Sequence, residues 1–156
     1  MKVCVYTLGC RLNQCESEAI CDSFLKEGFE IVKEDEEASL YIVNTCTVTS
    51  KAEQKARRMI RIFAKKGEAV VVTGCYAQMN EKEIKALGDN IICVPLVKKA
   101  SLLQMAKHIK ASLISNMSVL ESVTSFSDID TSVFSYNAQS FSYHSRAYLK
   151  IQEGCD

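Results

Sequence analysis

The stretch VCVYTLGC, residues 3–10, is a short apolar run that leads through Gly9 into a cysteine. Two similar runs lead into cysteines further along the chain, LYIVNTC at residues 40–46 and AVVVTGC at residues 69–75. Each run is rich in β-branched and aromatic residues and has the length of a buried strand. The sequence therefore predicts three strands, each followed by a loop that carries a cysteine.

A helix signal follows each of these loops. In a capping box, a polar residue caps the helix and a glutamate three residues later reaches back to it. Three such pairs occur: Asn13 with Glu16, Ser50 with Glu53, and Asn80 with Glu83. Further strands are predicted at residues 29–32 and 91–94, and a closing helix from about Lys98. This alternation predicts an α/β fold with a five-stranded, mostly parallel sheet between two helical layers, similar to the flavodoxin-like arrangement.

The last third of the sequence has a different composition. Residues 112–145 contain eleven serines, few charges and no sustained period, which is typical of an extended linker. After it, RAYLKI again has strand composition and is followed by Gln-Glu-Gly-Cys-Asp. We therefore expect a first domain at residues 1–111, a serine-rich linker at 112–145, and the first strand of a truncated second domain at 146–156.

The formal net charge of the 156 residues is zero, but the charges are unevenly distributed. Residues 51–110 carry thirteen basic and five acidic side chains, a net charge of +8 that offsets −5 before this segment and −3 after it. Within this basic segment, Arg57, Arg58 and Arg61 fall in a predicted helix and are candidates for contacts with the phosphate backbone of a nucleic acid. A solvated outer helix face is the alternative interpretation.

Eight cysteines without a secretory signal indicate a cytoplasmic protein, in which clustered cysteines bind metal or do chemistry more often than they form disulfides. No apolar stretch has the length of a membrane span. Because parallel strands end at the same edge of a sheet, Cys10, Cys46 and Cys75 are expected to lie together, as ligands of an iron–sulfur cluster would. The alternative is that all three are small buried residues, which is our interpretation of the cysteines inside strands and helices.

Several motifs together resemble one known family. TLGCRLNQCES at residues 7–17, NTCTVTSKAEQKAR at 44–57 and VVTGCYAQ at 71–78 resemble the amino-terminal domain of the radical-SAM methylthiotransferases. RAYLKIQEGCD at residues 146–156 resembles the entry into the radical-SAM barrel of the same family. The motifs occur in the family's order, so the resemblance is more specific than the cysteines alone.

This resemblance implies a set of cofactors and ligands. It implies that Cys10, Cys46 and Cys75 bind an auxiliary 4Fe-4S cluster. It also implies that Cys155 is the first ligand of a second 4Fe-4S cluster, which holds S-adenosylmethionine. The other two cysteines of that CxxxCxxC motif and the barrel do not follow within this sequence. We therefore expect no catalytic residue in this chain, and no activity from it when it is separated from the longer enzyme.

The motifs TLGC, followed by Arg-Leu-Asn-Gln, and NTCTVT are most similar to the branch that modifies N6-threonylcarbamoyladenosine beside the tRNA anticodon. The resemblance implies insertion of a methylthio group at C2 of that adenine, with tRNA as substrate and a reductant protein as a further partner. Alternatives within the family are isopentenyladenosine in tRNA and an aspartate of a ribosomal protein. Alternatives of another class are a metal-free, flavodoxin-like binding module and a structural protein held by zinc or disulfides.

Overall fold

The computed structural model describes residues 1–46 and 50–127. The strands are β1 (Lys2–Thr7), β2 (Glu30–Val32), β3 (Leu40–Thr45), β4 (Ala69–Gly74) and β5 (Ile91–Val94). The α-helices are α1 (Arg11–Lys26), α2 (Ser50–Lys66), α3 (Cys75–Met79), α4 (Glu81–Lys85), α5 (Leu102–Ile114) and α6 (Val119–Ser127). A 3-10 helix at Leu96–Ser101 precedes α5. No described helix is both long enough and apolar enough to cross a bilayer.

The five strands form one parallel sheet in the order β2-β1-β3-β4-β5. Every residue of β3 and β4 is buried, as is usual when helices cover both faces of a parallel sheet. The predicted α/β fold with a five-stranded parallel sheet is confirmed. The three strands that lead into the predicted cysteine ligands, β1, β3 and β4, are neighbours in this order.

A separate hydrophobic core lies on each face of the sheet. On one face, Phe24 of α1, Met105 of α5 and Phe126 of α6 belong to the same buried cluster. On the other face, Phe63 of α2 stacks on Tyr41 of β3, with ring centroids 4.4 Å apart. The predicted three-layer arrangement is therefore confirmed by packing on both sides of the sheet.

Helix α1 begins earlier than the capping box predicts. Cys10 is in an extended conformation at the N-cap position, and Arg11 is already helical. Asn13 therefore lies in the first turn, and its amide donates to the backbone carbonyls of Leu8 and Thr45. The prediction of Asn13 as the cap is wrong because the helix already begins at Arg11, two residues before it.

The other two predicted caps also differ in detail. Ser50 is already helical in α2, and the residue before it lies outside the described ranges. Asn80 occupies the N-cap position of α4 as predicted, but its side chain makes no capping hydrogen bond. A helix was not predicted for the segment directly after Gly74, where α3 begins at Cys75 itself.

The largest difference concerns the start of the predicted serine-rich linker. Helix α5 continues to Ile114, and α6 then packs Val123 and Phe126 into the core against the sheet. Serine hydroxyls in this region are satisfied within the helix, as when Ser122 donates to the carbonyl oxygen of Ser118 over 2.7 Å. The serine content therefore masked an amphipathic helix. The rest of the predicted linker and the predicted strand at 146–156 lie outside the described residues.

We expect Phe126→Ala to lower the free energy of unfolding by about 3 kcal/mol, because a side chain that is 2% exposed leaves a cavity when it is truncated. Ile114→Ala, at a side chain that is 78% exposed, should change it by less than about 0.5 kcal/mol. Urea unfolding of the two variants measures both effects. Equal stability of the two variants would mean that α6 does not belong to the folded domain.

Candidate metal centre

The three predicted cysteine ligands follow the ends of three neighbouring strands. Thr7 pairs with Asn44, and Thr45 pairs with Gly74, so the strands end level with one another. Adjacent strands lie about 4.8 Å apart, which brings the loops after them to the same edge of the sheet. The structure therefore places Cys10, Cys46 and Cys75 on one edge, as the sequence predicted. We call this edge, with its three loops, the cysteine edge.

Two glycines allow close backbone approach at the cysteine edge. Gly9 has a φ of 137°, and a Cβ atom built on it would lie 2.5 Å from the Cβ atom of Cys46. Gly74 has a φ of 99°, and a Cβ atom there would lie 2.0 Å from the carbonyl oxygen of Thr45, its partner in the sheet. Both positions combine a backbone conformation that L side chains rarely adopt with no room for one. The loop before Cys10 thus contacts Cys46, and β3 and β4 pack closely at the point where they lead into Cys46 and Cys75.

Asn13 joins two of these loops and one of the cysteines. Its side-chain amide donates to the carbonyl oxygen of Leu8 over 3.2 Å and to that of Thr45 over 3.1 Å. The Cys10 thiol in turn donates to the Asn13 side-chain oxygen over 3.6 Å. The Asn13 side chain is buried, so these bonds form away from competing water. One side chain thus fixes the spacing between the loops that carry Cys10 and Cys46.

A group of buried polar side chains, which we call the buried polar layer, lies next to Asn13. The side-chain amide of Asn44 donates to the carbonyl oxygen of Asn13 over 3.0 Å and to the hydroxyl of Ser17 over 3.2 Å. Glu16 forms an ion pair with Lys99 of the 3-10 helix, and both side chains are nearly inaccessible to solvent. Removing one partner of such a buried pair leaves an uncompensated charge and is strongly destabilising. The layer therefore holds the first turns of α1 against β3 and the segment after β5.

The first turn of α3, which begins with Cys75, is anchored on the face of the sheet that α2 covers. Tyr76, the next residue, is fully buried, and its hydroxyl accepts a 3.2 Å hydrogen bond from the guanidinium of Arg57. Burial raises the pKa of Tyr76, so its hydroxyl stays protonated. Arg57 also pairs with Glu83 of α4 at 3.1 Å. The arginine thus links α2, α3 and α4 beside the cysteine edge.

The remaining described cysteines behave as core residues. Burial raises the pKa of Cys4 and of Cys21 to about 12 and that of Cys93 to about 11. Cys15 is also buried. Thiols with such high pKa values remain protonated at neutral pH, whereas metal ligands are thiolates. By contrast, Cys10 and Cys75 are partly exposed at the cysteine edge, and Cys46 is buried beside them.

The cysteine edge carries thiol groups, which are the usual protein ligands of iron–sulfur clusters. Among the described residues, no group of three His, Cys, Asp or Glu side chains is placed to bind a single ion. In an iron–sulfur cluster each thiolate binds a different iron, so the sulfurs need not converge on one point. Three cysteines that follow neighbouring strand ends, with glycine in place of a bulkier residue directly before Cys10 and Cys75, fit such a cluster. Cys155, the predicted ligand of a second cluster, lies outside the described residues.

The sequence did not reveal the two side chains that organise this site. Asn13 was assigned to a helix cap, and Lys99 is one of many lysines in a basic segment. The residues near Lys99 in the sequence do not reveal that it is buried, because its partner Glu16 lies far away in the sequence, in α1. The position of Asn13 three residues after a cysteine is the one feature that could have suggested a role at the site.

We expect Asn13→Ala to lower the free energy of unfolding of the metal-free chain by about 1–3 kcal/mol, because two buried carbonyl oxygens lose their donor. Asn13→Asp should be no better, since a carboxylate cannot donate to them. Asn80→Ala, at a side chain with no capping bond, serves as the control and should be nearly neutral. Urea unfolding that finds Asn13→Ala as stable as the unsubstituted chain would contradict the bridging role.

Comparison with known proteins gives a consistent result. Residues 2–111 match the family described as "Uncharacterized protein family UPF0004". The chain is 40% identical over 115 residues to the "Threonylcarbamoyladenosine tRNA methylthiotransferase MtaB" of Treponema pallidum, covering 70% of this chain and 24% of that protein. It is 31% identical to the protein of the same name from Aquifex aeolicus, covering 100% of this chain and 37% of that protein.

A relative with a different printed substrate is also similar. The "tRNA-2-methylthio-N(6)-dimethylallyladenosine synthase" of Pelagibacter ubique is 33% identical, covering 99% of this chain and 35% of that protein. Among solved structures, a flavodoxin from the domain Archaea superposes with a TM-score of 0.49 at 14% identity, covering 74% of this chain and 98% of that one. The chain spans about a quarter to just over a third of the length of these curated relatives. Because the family match covers most of its residues, the chain belongs to the family UPF0004, and its resemblance to the methylthiotransferases is confirmed.

Proposed function

We propose that this chain is the auxiliary-cluster domain of a tRNA methylthiotransferase. The observation that carries the proposal is the cysteine edge, where Cys10, Cys46 and Cys75 follow the ends of three neighbouring strands. The names of the relatives from Treponema pallidum and Aquifex aeolicus support the reaction class. Three cysteines at one sheet edge, together with these names, favour a metal-binding domain over a metal-free binding module.

In this proposal, Cys10, Cys46 and Cys75 hold a 4Fe-4S cluster as thiolates. Such a cluster, with three protein ligands, supplies one iron that can bind a sulfur-containing group. The chain's own contribution is to fix the three sulfurs relative to one another. Asn13 holds the loops of Cys10 and Cys46 together, and Tyr76 anchors the loop of Cys75 in the core.

The burial pattern also controls access to the cluster. Cys46 is buried beneath the contact with Gly9, whereas Cys10 and Cys75 are partly exposed. The open side of the cysteine edge therefore lies toward the latter two residues. A substrate or a second domain that approaches this edge would meet the cluster there, while the core side stays dry.

The finer parts of the proposal follow the branch motifs. The substrate is N6-threonylcarbamoyladenosine in tRNA, methylthiolated at C2, with a second 4Fe-4S cluster, S-adenosylmethionine and a reductant protein in the complete enzyme. Cys155 is the first ligand of that second cluster. The second candidate substrate is dimethylallyladenosine in tRNA, which the name of the Pelagibacter ubique relative favours.

Anaerobic reconstitution of the 156-residue chain with iron and sulfide should give a brown protein with about four iron atoms and an absorption band near ~400 nm. Cys10→Ala, Cys46→Ala and Cys75→Ala should each lose most of the iron and sulfide. Cys93→Ala is the matched control, because this thiol lies within β5 and should not affect loading. A colourless protein, or one that contains zinc without sulfide, would refute the cluster.

The substrate assignment is tested with the complete enzyme of which this chain is part. Incubation with S-adenosylmethionine, a reductant and tRNA carrying N6-threonylcarbamoyladenosine should yield a methylthio derivative, detected by mass spectrometry of the nucleosides. tRNA carrying dimethylallyladenosine should remain unmodified under the same conditions. The reverse pattern would assign the second candidate substrate and overturn the first.

A further inference from the structure

Helix α2 carries a row of basic side chains that the cluster site does not use. The row consists of Lys51, Lys55, Arg58, Arg61 and Lys65, which we call the basic stripe. At 3.6 residues per turn, these positions fall within a sector of about 120° and extend along about 21 Å of helix. All five side chains are exposed. The stripe is therefore a continuous cationic surface.

The opposite side of the same helix is occupied by the core. Ala56, Ile60 and Phe63 are buried against the sheet. This packing fixes the orientation of α2, so the side that carries the stripe always faces away from the core.

The basic stripe has no acidic partner among residues 1–46 and 50–127. None of its five side chains forms an ion pair with another described residue. Glu53, the acid in the first turn of α2, helps to raise the pKa of Arg57, after the larger effects of the Tyr76 hydroxyl and of Glu83. Like charges three or four residues apart on a helix repel one another. Within the described residues the charges of this row are therefore left to solvent, counter-ions or a bound polyanion.

Arg57, on the same helix, has a structural role. Its guanidinium bonds Tyr76 and Glu83, so it is committed to holding the domain together. The sequence grouped Arg57 with Arg58 and Arg61 as candidates for contacts with RNA. The structure separates them, because the latter two face solvent in the stripe.

The stripe has a defined direction relative to the cysteine edge. Helix α2 follows β3, so its first turn, with Lys51, lies near the edge of the sheet where Cys46 lies. Lys65, in the last turn, lies near the opposite edge of the sheet. A polyanion bound along the stripe would therefore lead from the far side of the domain to the cysteine edge.

We propose that the basic stripe binds the phosphate backbone of the tRNA substrate and guides it toward the cysteine edge. This inference rests on the proposed function for the choice of RNA as the polyanion. Lysines and arginines on a convex helix face contact phosphates without reading bases. Binding through the stripe is therefore independent of sequence and strongly dependent on salt.

The experiment measures the affinity of the 156-residue chain for unmodified tRNA by fluorescence anisotropy at several salt concentrations. The variants are Arg58→Gln, Arg61→Gln and the double variant. Each lost phosphate contact should lower the affinity at 0.1 M salt by about five- to tenfold and flatten the slope of log K against log salt by about 0.7–0.9. The double variant should show about twice the change in slope.

The matched control is Lys33→Gln with Lys107→Gln, which removes two exposed lysines that lie outside the stripe and form no ion pair with described residues. This control should bind tRNA like the unsubstituted chain. Equal affinities and slopes for the stripe variants and the control would overturn the inference, as would a loss of affinity without any change in slope. Urea unfolding of each variant confirms that it is folded.

The same preparations distinguish this inference from the proposed function. A chain that loads iron and sulfide, but binds tRNA equally well after the stripe substitutions, would overturn the stripe and leave the cluster standing. A chain that shows the expected change in slope, but takes up no iron, would refute the cluster and support the stripe. Binding of an acidic protein with no binding of tRNA would also overturn the inference.

Discussion

Backbone hydrogen bonding between β1, β3 and β4 brings together three cysteines that are far apart in the sequence. The pairing of Thr45 with Gly74 places Cys46 and Cys75 one residue beyond the same rung of the ladder. A parallel sheet has little freedom in register once both faces are covered, because a slip by one residue would turn every buried side chain to the other face. The position of the candidate ligands is thus a property of the whole sheet.

The side chains around the cysteine edge add rigidity that the sheet alone does not supply. Loops beyond strand ends are normally the mobile part of an α/β domain. Here both side-chain donors of Asn13 bind backbone carbonyls at the ends of β1 and β3, and Tyr76 anchors the turn after Cys75. Buried hydrogen bonds of this kind hold neighbouring segments in one geometry. The three candidate cysteines are therefore held near one another by the protein itself.

Much of this architecture could be predicted from the sequence, because its strands are long apolar runs with clear ends. Periodicity and composition gave β3, β4 and the position of the three cysteines correctly. The cap at Asn13 and the linker at residue 112 were wrong, since both depend on tertiary contacts. Asn13 bonds a loop 32 residues away, and α6 is recognisable only by the core that Val123 and Phe126 enter. The ion pair of Glu16 with Lys99 joins residues too distant for any local pattern to reveal.

The contact between Gly74 and Thr45 limits which residue can occupy position 74. The two residues are partners in the sheet, and the carbonyl of Thr45 leaves no space for even a methyl group at position 74. Any side chain there would have to push β3 and β4 apart at their last shared rung. The separation of Cys46 and Cys75 therefore depends on the absence of a single Cβ atom in the residue before Cys75.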